Sequence, residues 1–262
     1  MTLQLAAARH ILVTGAAGAI GGACARALAS AAPRARLTLT DKDEAGARAL
    51  ARALGTRARE YAWDLERPDD VPAAYREATD GEAPVDVLVN CAGIMELRTF
   101  AGTSWELGGG LLSIDLLSPL RLMTLAIPAM RAAGGGIVVN LASLAGLLPI
   151  RGSSYYGAAK AGLAMASEVA RIELAPFGVH VLTVYPGPIA SGLERRARAQ
   201  VRGNWMARNL PVGDADALAA RIVQAAERGS PRVVYPTLYV AAHQAIGLTR
   251  RITERLSPDP FE

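Results

Sequence analysis

The amino-acid sequence predicts an α/β fold: a doubly wound, parallel sheet of seven strands with helices on both faces. Three observations predict it. Short runs rich in Val, Ile and Leu alternate with longer Ala-rich stretches along the whole chain. The first apolar run ends in a glycine turn that opens a helix. Gly15, Asp41, Asp64, Asn90, Ser143 and Pro186 each stand just after a run that reads as a strand. Right-handed crossovers in such a sheet bring those six loops to one edge, the carboxyl ends of the strands. No linker, repeat or low-complexity stretch divides the 262 residues, so one domain spanning 1–262 is expected.

His10-Ile11-Leu12-Val13-Thr14 is the first strand and runs into Gly15-Ala16-Ala17-Gly18-Ala19-Ile20-Gly21. The helix from about Gly18 to Ser30 then turns backbone N–H groups and a positive dipole end toward a phosphate. The spacing is Gly-x-x-x-Gly-x-Gly, not Gly-x-Gly-x-x-Gly, so the dinucleotide rule applies by mechanism, and a purely packing role is the alternative. Ala35 to Thr40 alternates as a second strand with Asp41 at its end. An acidic side chain there accepts hydrogen bonds from an adenosine ribose and repels a 2′-phosphate. The alternative is an N-cap for the helix Asp43 to Leu54. Arg59 to Trp63 reads as a third strand ending at Asp64-Leu65, and a short helix follows Pro68. Val85 to Val89 is the fourth strand, running into Asn90-Cys91-Ala92-Gly93, a small-residue turn that a flat ring can approach.

Trp105 to Arg131 has the length of a long helix whose first turns Gly108-Gly109-Gly110 weaken or break. Gly134-Gly135-Gly136 ends it, and Ile137 to Leu141 is a fifth strand that delivers Ser143. A helix from about Ser153 to Ala175 carries Tyr156 and Lys160 and stops at Pro176 and Gly178. Val179 to Val184 is the sixth strand, leading to Pro186-Gly187-Pro188-Ile189-Ala190-Ser191. Residues 192–211 are polar and irregular and read as part of a mobile lid over about 190–213, with Trp205 and Met206 on it. A helix from Asp214 to Arg228, a seventh strand Arg232 to Tyr235 and an apolar tail close the chain.

Tyr156 and Lys160 are four residues apart and share one helix face. A phenol is a poor base at neutral pH, its pKa being about 10. An ammonium about 4 Å away, at an effective dielectric of about 20, favours the phenolate by about 4 kcal/mol. That is roughly three pKa units, enough to bring Tyr156 toward working pH. Ser143 is then placed to hold a substrate oxygen while Tyr156 exchanges its proton. Tyr-x-x-x-Lys alone is also what an ordinary surface helix shows. Composition separates the two: of 28 basic residues only Lys42 and Lys160 are lysines, so a chain that otherwise uses Arg keeps a compact, tunable ammonium here.

Hydrophobic residues at 51% and charged residues at 20% describe a folded chain. The net charge of +4 is scattered, and its one short run, Glu194-Arg195-Arg196-Ala197-Arg198, reads as a solvated helix face, so no nucleic-acid partner is expected. Cys24 and Cys91 form no CxxC pair, which suits a cytoplasmic protein and gives no metal site. Met1 to Leu5 lacks the features of a signal peptide. No uncharged apolar run reaches about 18 residues, so no transmembrane segment is expected.

With these residues assembled, the chain resembles the short-chain dehydrogenase/reductase family, Rossmann-like oxidoreductases, over nearly its whole length. Thr14 to Gly21 is similar to the family's cofactor turn, and Asn90-Cys91-Ala92-Gly93 to its Asn-Asn-Ala-Gly turn. Ser143, Tyr156 and Lys160 match its catalytic serine, tyrosine and lysine in order and spacing. Pro186-Gly187 and Ser191 match its Pro-Gly-x-x-x-Thr loop. The resemblance implies that Gly15, Ala17, Gly18 and Ile20 lie along a pyrophosphate and Asp41 holds the adenosine ribose. It places Asp64 and Leu65 at the adenine, and Asn90, Ala92 and Gly93 at the middle of the cofactor. Lys160 and Tyr156 would meet the nicotinamide ribose, and Pro186, Gly187, Ile189 and Ser191 the carboxamide. It also implies a homodimer or homotetramer built on the two long helices, whose small residues Ala161, Ala164 and Ala166 permit close packing.

One position departs from the family. Asp115-Leu116-Leu117-Ser118-Pro119-Leu120 stands where the family has Asn-Leu-x-Gly-Pro-Leu, so Asp115 replaces the fourth catalytic residue. An ionised Asp115 favours the Lys160 ammonium and disfavours the Tyr156 phenolate, which predicts a raised Tyr156 pKa and an alkaline optimum for oxidation. Asp41, with no basic group at Ala17, points to NAD over NADP, although Lys42 is adjacent. Ile94, Met95, Leu144, Leu147, Leu148, Trp205 and Met206 suggest apolar walls, hence a small hydrophobic secondary alcohol or ketone as substrate; the same residues also suit an ordinary core. The tail Val233 to Ile246 covers the pocket, packs on a neighbouring subunit or touches a membrane surface. A family member that epimerises or dehydrates, and a non-catalytic dinucleotide-binding regulator, are the alternatives to a dehydrogenase.

Overall fold

Seven parallel strands form one sheet: β1 (His10–Thr14), β2 (Arg36–Asp41), β3 (Ala58–Ala62), β4 (Val87–Asn90), β5 (Gly136–Leu141), β6 (Val179–Pro186) and β7 (Arg232–Tyr235). Their order is β3-β2-β1-β4-β5-β6-β7. The structure is a computed structural model and describes residues 4–202 and 210–261. β1, β4, β5 and β6 are buried at every position, which is why they read as unbroken hydrophobic runs with no alternation. β3, at the edge, is only half-buried and carries Arg59 and Glu60. Strand order reverses between β1 and β4, opening a crevice at the carboxyl ends of those strands.

The helices are α1 (Ala19–Ala31), α2 (Glu44–Leu54), α3 (Val71–Thr79), α4 (Trp105–Leu112), α5 (Ser118–Ala132), α6 (Ser154–Leu174), α7 (Gly192–Ala199), α8 (Ala215–Glu227), α9 (Tyr239–Gln244) and α10 (Ile246–Leu256). Two cores lie on opposite faces of the sheet. Ile11 and Val13 of β1 face one, with Leu28 of α1 and Leu218 and Ile222 of α8. Leu12 faces the other, with Leu122, Met123 and Met130 of α5. That alternation is the period of two expected of a strand sandwiched between helix layers. Each fully buried Leu or Ile contributes about 1.5–3 kcal/mol.

Three expectations bear on these helices. The glycines at 108–110 do not break the long helix: α4 runs through them, and the irregularity falls later, in a π turn at Ser113–Leu117. The cause is a close approach. A Cβ at 108 would lie 2.4 Å from the Tyr155 ring of α6, so glycine there serves packing between helices. Second, Trp105–Ala132 contains an 18-residue window of mean hydropathy 1.5 and passes as a membrane span by length and composition alone, though Glu106, Asp115, Arg121 and Arg131 interrupt it. Its Leu111, Ile114, Leu122, Met123, Ala126 and Met130 are buried within the fold, as in a core helix.

Third, residues 192–199 are not irregular. They form α7, capped by Ser191, whose Oγ accepts from Glu194 N at 3.1 Å, and braced by an Arg198–Glu194 ion pair. Trp205 and Met206 lie outside the described residues. The tail packs on its own chain. Tyr239 donates to Pro211 O, and Ser257 Oγ accepts from Arg151 N at 2.9 Å. Arg151 also pairs with Asp259, and Pro260 bridges to Val201. The end of the chain is thus a strap across the loop after β5 and the end of α7.

Candidate active site

The glycine turn is built by contact between two loops. Gly15 has φ +67°, and a Cβ there would lie 2.7 Å from the Ala92 backbone. Thr14 Oγ1 accepts from Cys91 N and Ala92 N, both at 3.1 Å, and so ties the turn after β1 to the turn after β4. A cleft of about 430 Å³ opens along these loops. Gly15, Ala17, Gly18 and Ile20 line it, as do Asp41, Asp64, Leu65, Ala92, Gly93 and Ser191. The first turn of α1 opens on the same cleft with no acidic side chain in it. Its N–H groups and dipole therefore present positive potential there.

Asp41 is not a helix cap. That role belongs to Asp43, which accepts from Gly46 N. The Asp41 carboxylate instead accepts from Ala17 N at 2.9 Å and from Asp43 N at 2.9 Å, which fixes it at the cleft wall. Asp64 accepts from Glu66 N, and Leu65 is held from behind by Ser118, which donates to Leu65 O at 2.7 Å. Asn90 behaves differently. Its side chain is buried and donates to Asn140 Oδ1 at 2.8 Å, and Asn140 donates to Ser167 Oγ at 2.8 Å. This internal chain joins β4, β5 and α6; the Asn90 Oδ1 is buried and meets no hydrogen-bond partner among the described residues.

Ser143, Tyr156, Lys160 and Asp115 form a second group, all buried. Lys160 Nζ donates to Leu141 O at 2.8 Å and lies 3.0 Å from Asp115 Oδ1. It stands 5.9 Å from the centre of the Tyr156 ring. Asp115 reaches this place because the π turn directs it inward, and its Oδ2 accepts from Ile94 N at 3.3 Å. Burial pushes the Tyr156 phenol above its ordinary value; Lys160 opposes this, Asp115 adds to it, and a hydrogen bond with Ser143 opposes it. The lowering expected from Lys160 alone is therefore outweighed, chiefly by burial and in smaller part by Asp115. For Lys160, burial disfavours the ammonium, but Asp115 and Tyr156 outweigh it and the pKa lies above the ordinary value.

The remaining site residues follow β6. Pro186 ends the strand, Gly187 donates to Tyr235 O at 2.7 Å, and Ile189 bridges to Gly213. Of these only Ser191 lines the cleft. Of the apolar residues expected around a substrate, Ile94 lines the cleft, and Leu147 and Leu148 line a separate cavity against α6. Ile94 packs in the α5 core, Met95 with Leu97, Ala197 and Val201, and Leu144 with Leu147, Leu148 and Tyr239. Sequence reasoning missed Arg196, which lines the cleft from α7, and the Asn90–Asn140–Ser167 chain. Arg196 had a signal, its place five residues after Ser191; the Asn–Ser chain had none, because its members are far apart in sequence.

Comparison with known proteins agrees with this geometry. The family model described as short chain dehydrogenase matches residues 9–202. The ketoacyl reductase HetN of Nostoc sp. is 34% identical over 185 residues, covering 70% of this chain and 64% of that protein. The chain thus spans just under two thirds of that relative's length. The cis-4-hydroxycyclohexanecarboxylate dehydrogenase of Sinomonas cyclohexanicum is 35% identical over 218 residues, covering 79% and 83%. A solved structure, a short-chain dehydrogenase from Sphingobium yanoikuyae in complex with NADPH, superposes with a TM-score of 0.79 at 26% identity, covering 95% of this chain and 96% of that one. A parallel sheet with its crevice at the β1/β4 reversal, a glycine turn on that crevice and a match over most of the chain have one meaning: the protein belongs to the short-chain dehydrogenase/reductase family of oxidoreductases.

Proposed function

We propose that the protein transfers a hydride between NAD(H) and a small hydrophobic secondary alcohol or ketone, with Tyr156 as acid/base. The observation that carries the reading is the buried grouping of Tyr156 with Lys160 and Ser143. The residues present fit a dinucleotide: the acid-free first turn of α1 faces the cleft, and Asp41 is fixed on its wall by two backbone N–H groups. Gly15, Ala17, Gly18 and Ile20 would hold the pyrophosphate, Asp41 the adenosine ribose, and Asp64 and Leu65 the adenine. Asn90, Ala92 and Gly93 would flank the middle, Lys160 and Tyr156 the nicotinamide ribose, and Pro186, Gly187, Ile189 and Ser191 the carboxamide. The bound nicotinamide supplies or accepts the hydride. In reduction the Ser143 hydroxyl donates a hydrogen bond to the carbonyl oxygen and Tyr156 gives its phenolic proton to that oxygen. In oxidation the Tyr156 phenolate takes the proton of the alcohol.

Asp41 supports NAD over NADP, since a carboxylate on the cleft wall repels a 2′-phosphate. The proposed substrate lid spans about 190–213 and includes α7, with residues 203–209 outside the described residues. The proposed oligomer uses α6, where Met165, Val169 and Ile172 are exposed on one face beside Leu117 of the π turn. Ala164 is buried in the chain's own core, so it takes no part. Light scattering at micromolar concentration tests this; a monomer removes it. The functional reading is tested by titrating the protein with NADH and NADPH, then assaying a panel of apolar ketones and alcohols. NADH binding with turnover supports it. Preference for NADPH overturns the cofactor assignment, and binding without any turnover overturns the role of Tyr156.

A further inference from the structure

Resting on that dehydrogenase reading, we propose that Asp115 is a positioning residue whose ion pair with Lys160 keeps Tyr156 protonated at neutral pH. The site then favours carbonyl reduction at neutral pH and alcohol oxidation only in alkaline solution. Asp115 is fully buried, its Oδ1 pairs with Lys160 Nζ at 3.0 Å and its Oδ2 accepts from Ile94 N at 3.3 Å. Gly93 leaves room for it: a Cβ at 93 would lie 2.5 Å from that oxygen. An ammonium has three N–H donors. One goes to Leu141 O and one faces Asp115, which leaves a single donor for a ribose hydroxyl. Seen from Tyr156, the ammonium and carboxylate form a neutral pair whose field falls off faster than that of a lone charge.

The groups facing this cluster are few. Tyr156 faces Lys160, Asp115 and Ser143, and Lys160 also faces Cys91 of the turn after β4. Burial pushes the Cys91 thiol up to about 12, so it stays neutral through the working range. The proton balance then rests on Asp115, Lys160 and Tyr156 alone.

The test follows tyrosinate absorbance between pH 6 and 11 on the NAD-bound protein, comparing wild type with Asp115→Asn and using Tyr156→Phe to identify the Tyr156 step. Asn keeps the shape and still accepts from Ile94 N. The expected result is a Tyr156 step at least about one pH unit lower in Asp115→Asn, with the acidic limb of the oxidation profile shifted equally. Oxidation at pH 7 then rises about tenfold. The same step in both proteins overturns the inference, as does a wild-type Tyr156 that is already ionised at pH 7.5, a measurement that needs no variant. Absence of NAD(H) binding would instead overturn the functional reading, so the two failures are distinguishable.

Discussion

The Lys160 ammonium and the Asp115 carboxylate lie 3.0 Å apart with 5% and 0% of their side chains exposed. Breaking such a pair on one side leaves a buried charge without compensation, at a cost of about 3–5 kcal/mol. Lys160→Met should therefore lower stability by that order in denaturant unfolding, and Lys160→Met with Asp115→Leu should recover most of it. In the single variant the folded-state pKa of Asp115 stays above its unfolded value, so part of the loss returns as pH falls and the carboxyl protonates.

Tyr156→Phe keeps the ring and its burial but removes the proton. Steady-state turnover should fall by about 10²–10⁴. NADH affinity, read by fluorescence titration, should weaken only by about the loss of one hydrogen bond to the ribose, because the cleft residues from Gly15 to Asp41 are untouched.

Asp41→Ala removes the acceptor of Ala17 N and Asp43 N as well as the charge at the cleft wall. Loss of hydrogen bonds to a charged group is worth about 1.5–3 kcal/mol, so the Kd for NADH should rise by about tenfold or more. NADPH, freed from a repulsive carboxylate, should lose less, and the ratio of the two constants is the readout.

His10 is fully buried, with Nδ1 2.6 Å from Ala83 O and Nε2 2.9 Å from Thr38 Oγ1. Burial lowers its pKa, and does the same at His180. A histidine whose folded pKa lies below its unfolded value binds more protons when unfolded. Stability is then complete above about pH 6.5 and falls as pH drops below it, by up to about 1.4 kcal/mol per pH unit per group. Unfolding midpoints measured from pH 8 to 5 should show this slope, and His10→Asn should flatten it.

Gly108→Ala tests packing against propensity. Alanine in a helix interior is favoured over glycine by about 1 kcal/mol. Here its Cβ would meet the Tyr155 ring, so overpacking should reverse the sign and cost about 1–3 kcal/mol in thermal or chemical unfolding.

Much of this architecture was legible from local pattern. β1 and β7 occupy the residues their apolar runs and flanking turns indicated, and the loops after β1, β2, β3 and β4 share one cleft as strand alternation requires. What escaped was decided by contacts between distant residues. Propensity says that three glycines break a helix, but it carries no word of the Tyr155 ring behind them. Tyr156 and Lys160 could be paired by spacing, whereas the direction of the phenol's shift depends on burial that spacing does not record. α7 is a different case: Ser191 followed three residues later by Glu194 is a capping-box pattern, and the polar composition around it masked a readable signal. The expected apolar wall was read from types alone, and Ile94, Met95 and Leu144 went to three separate clusters.

The strap formed by residues 257–261 limits how far the molecule is modular. The region matched by the family model stops at 202, yet Val201 is bridged by Pro260, and Arg202 N and Gln200 O are bonded by Asp259 O and Phe261 N. Swapping that region for a relative's would leave Asp259 without Arg151 and Pro260 without the Gly152 backbone against it. A chimera joined at residue 202 would keep its sheet and lose the brace on the loop after β5 and the end of α7, so body and tail are best exchanged as one piece.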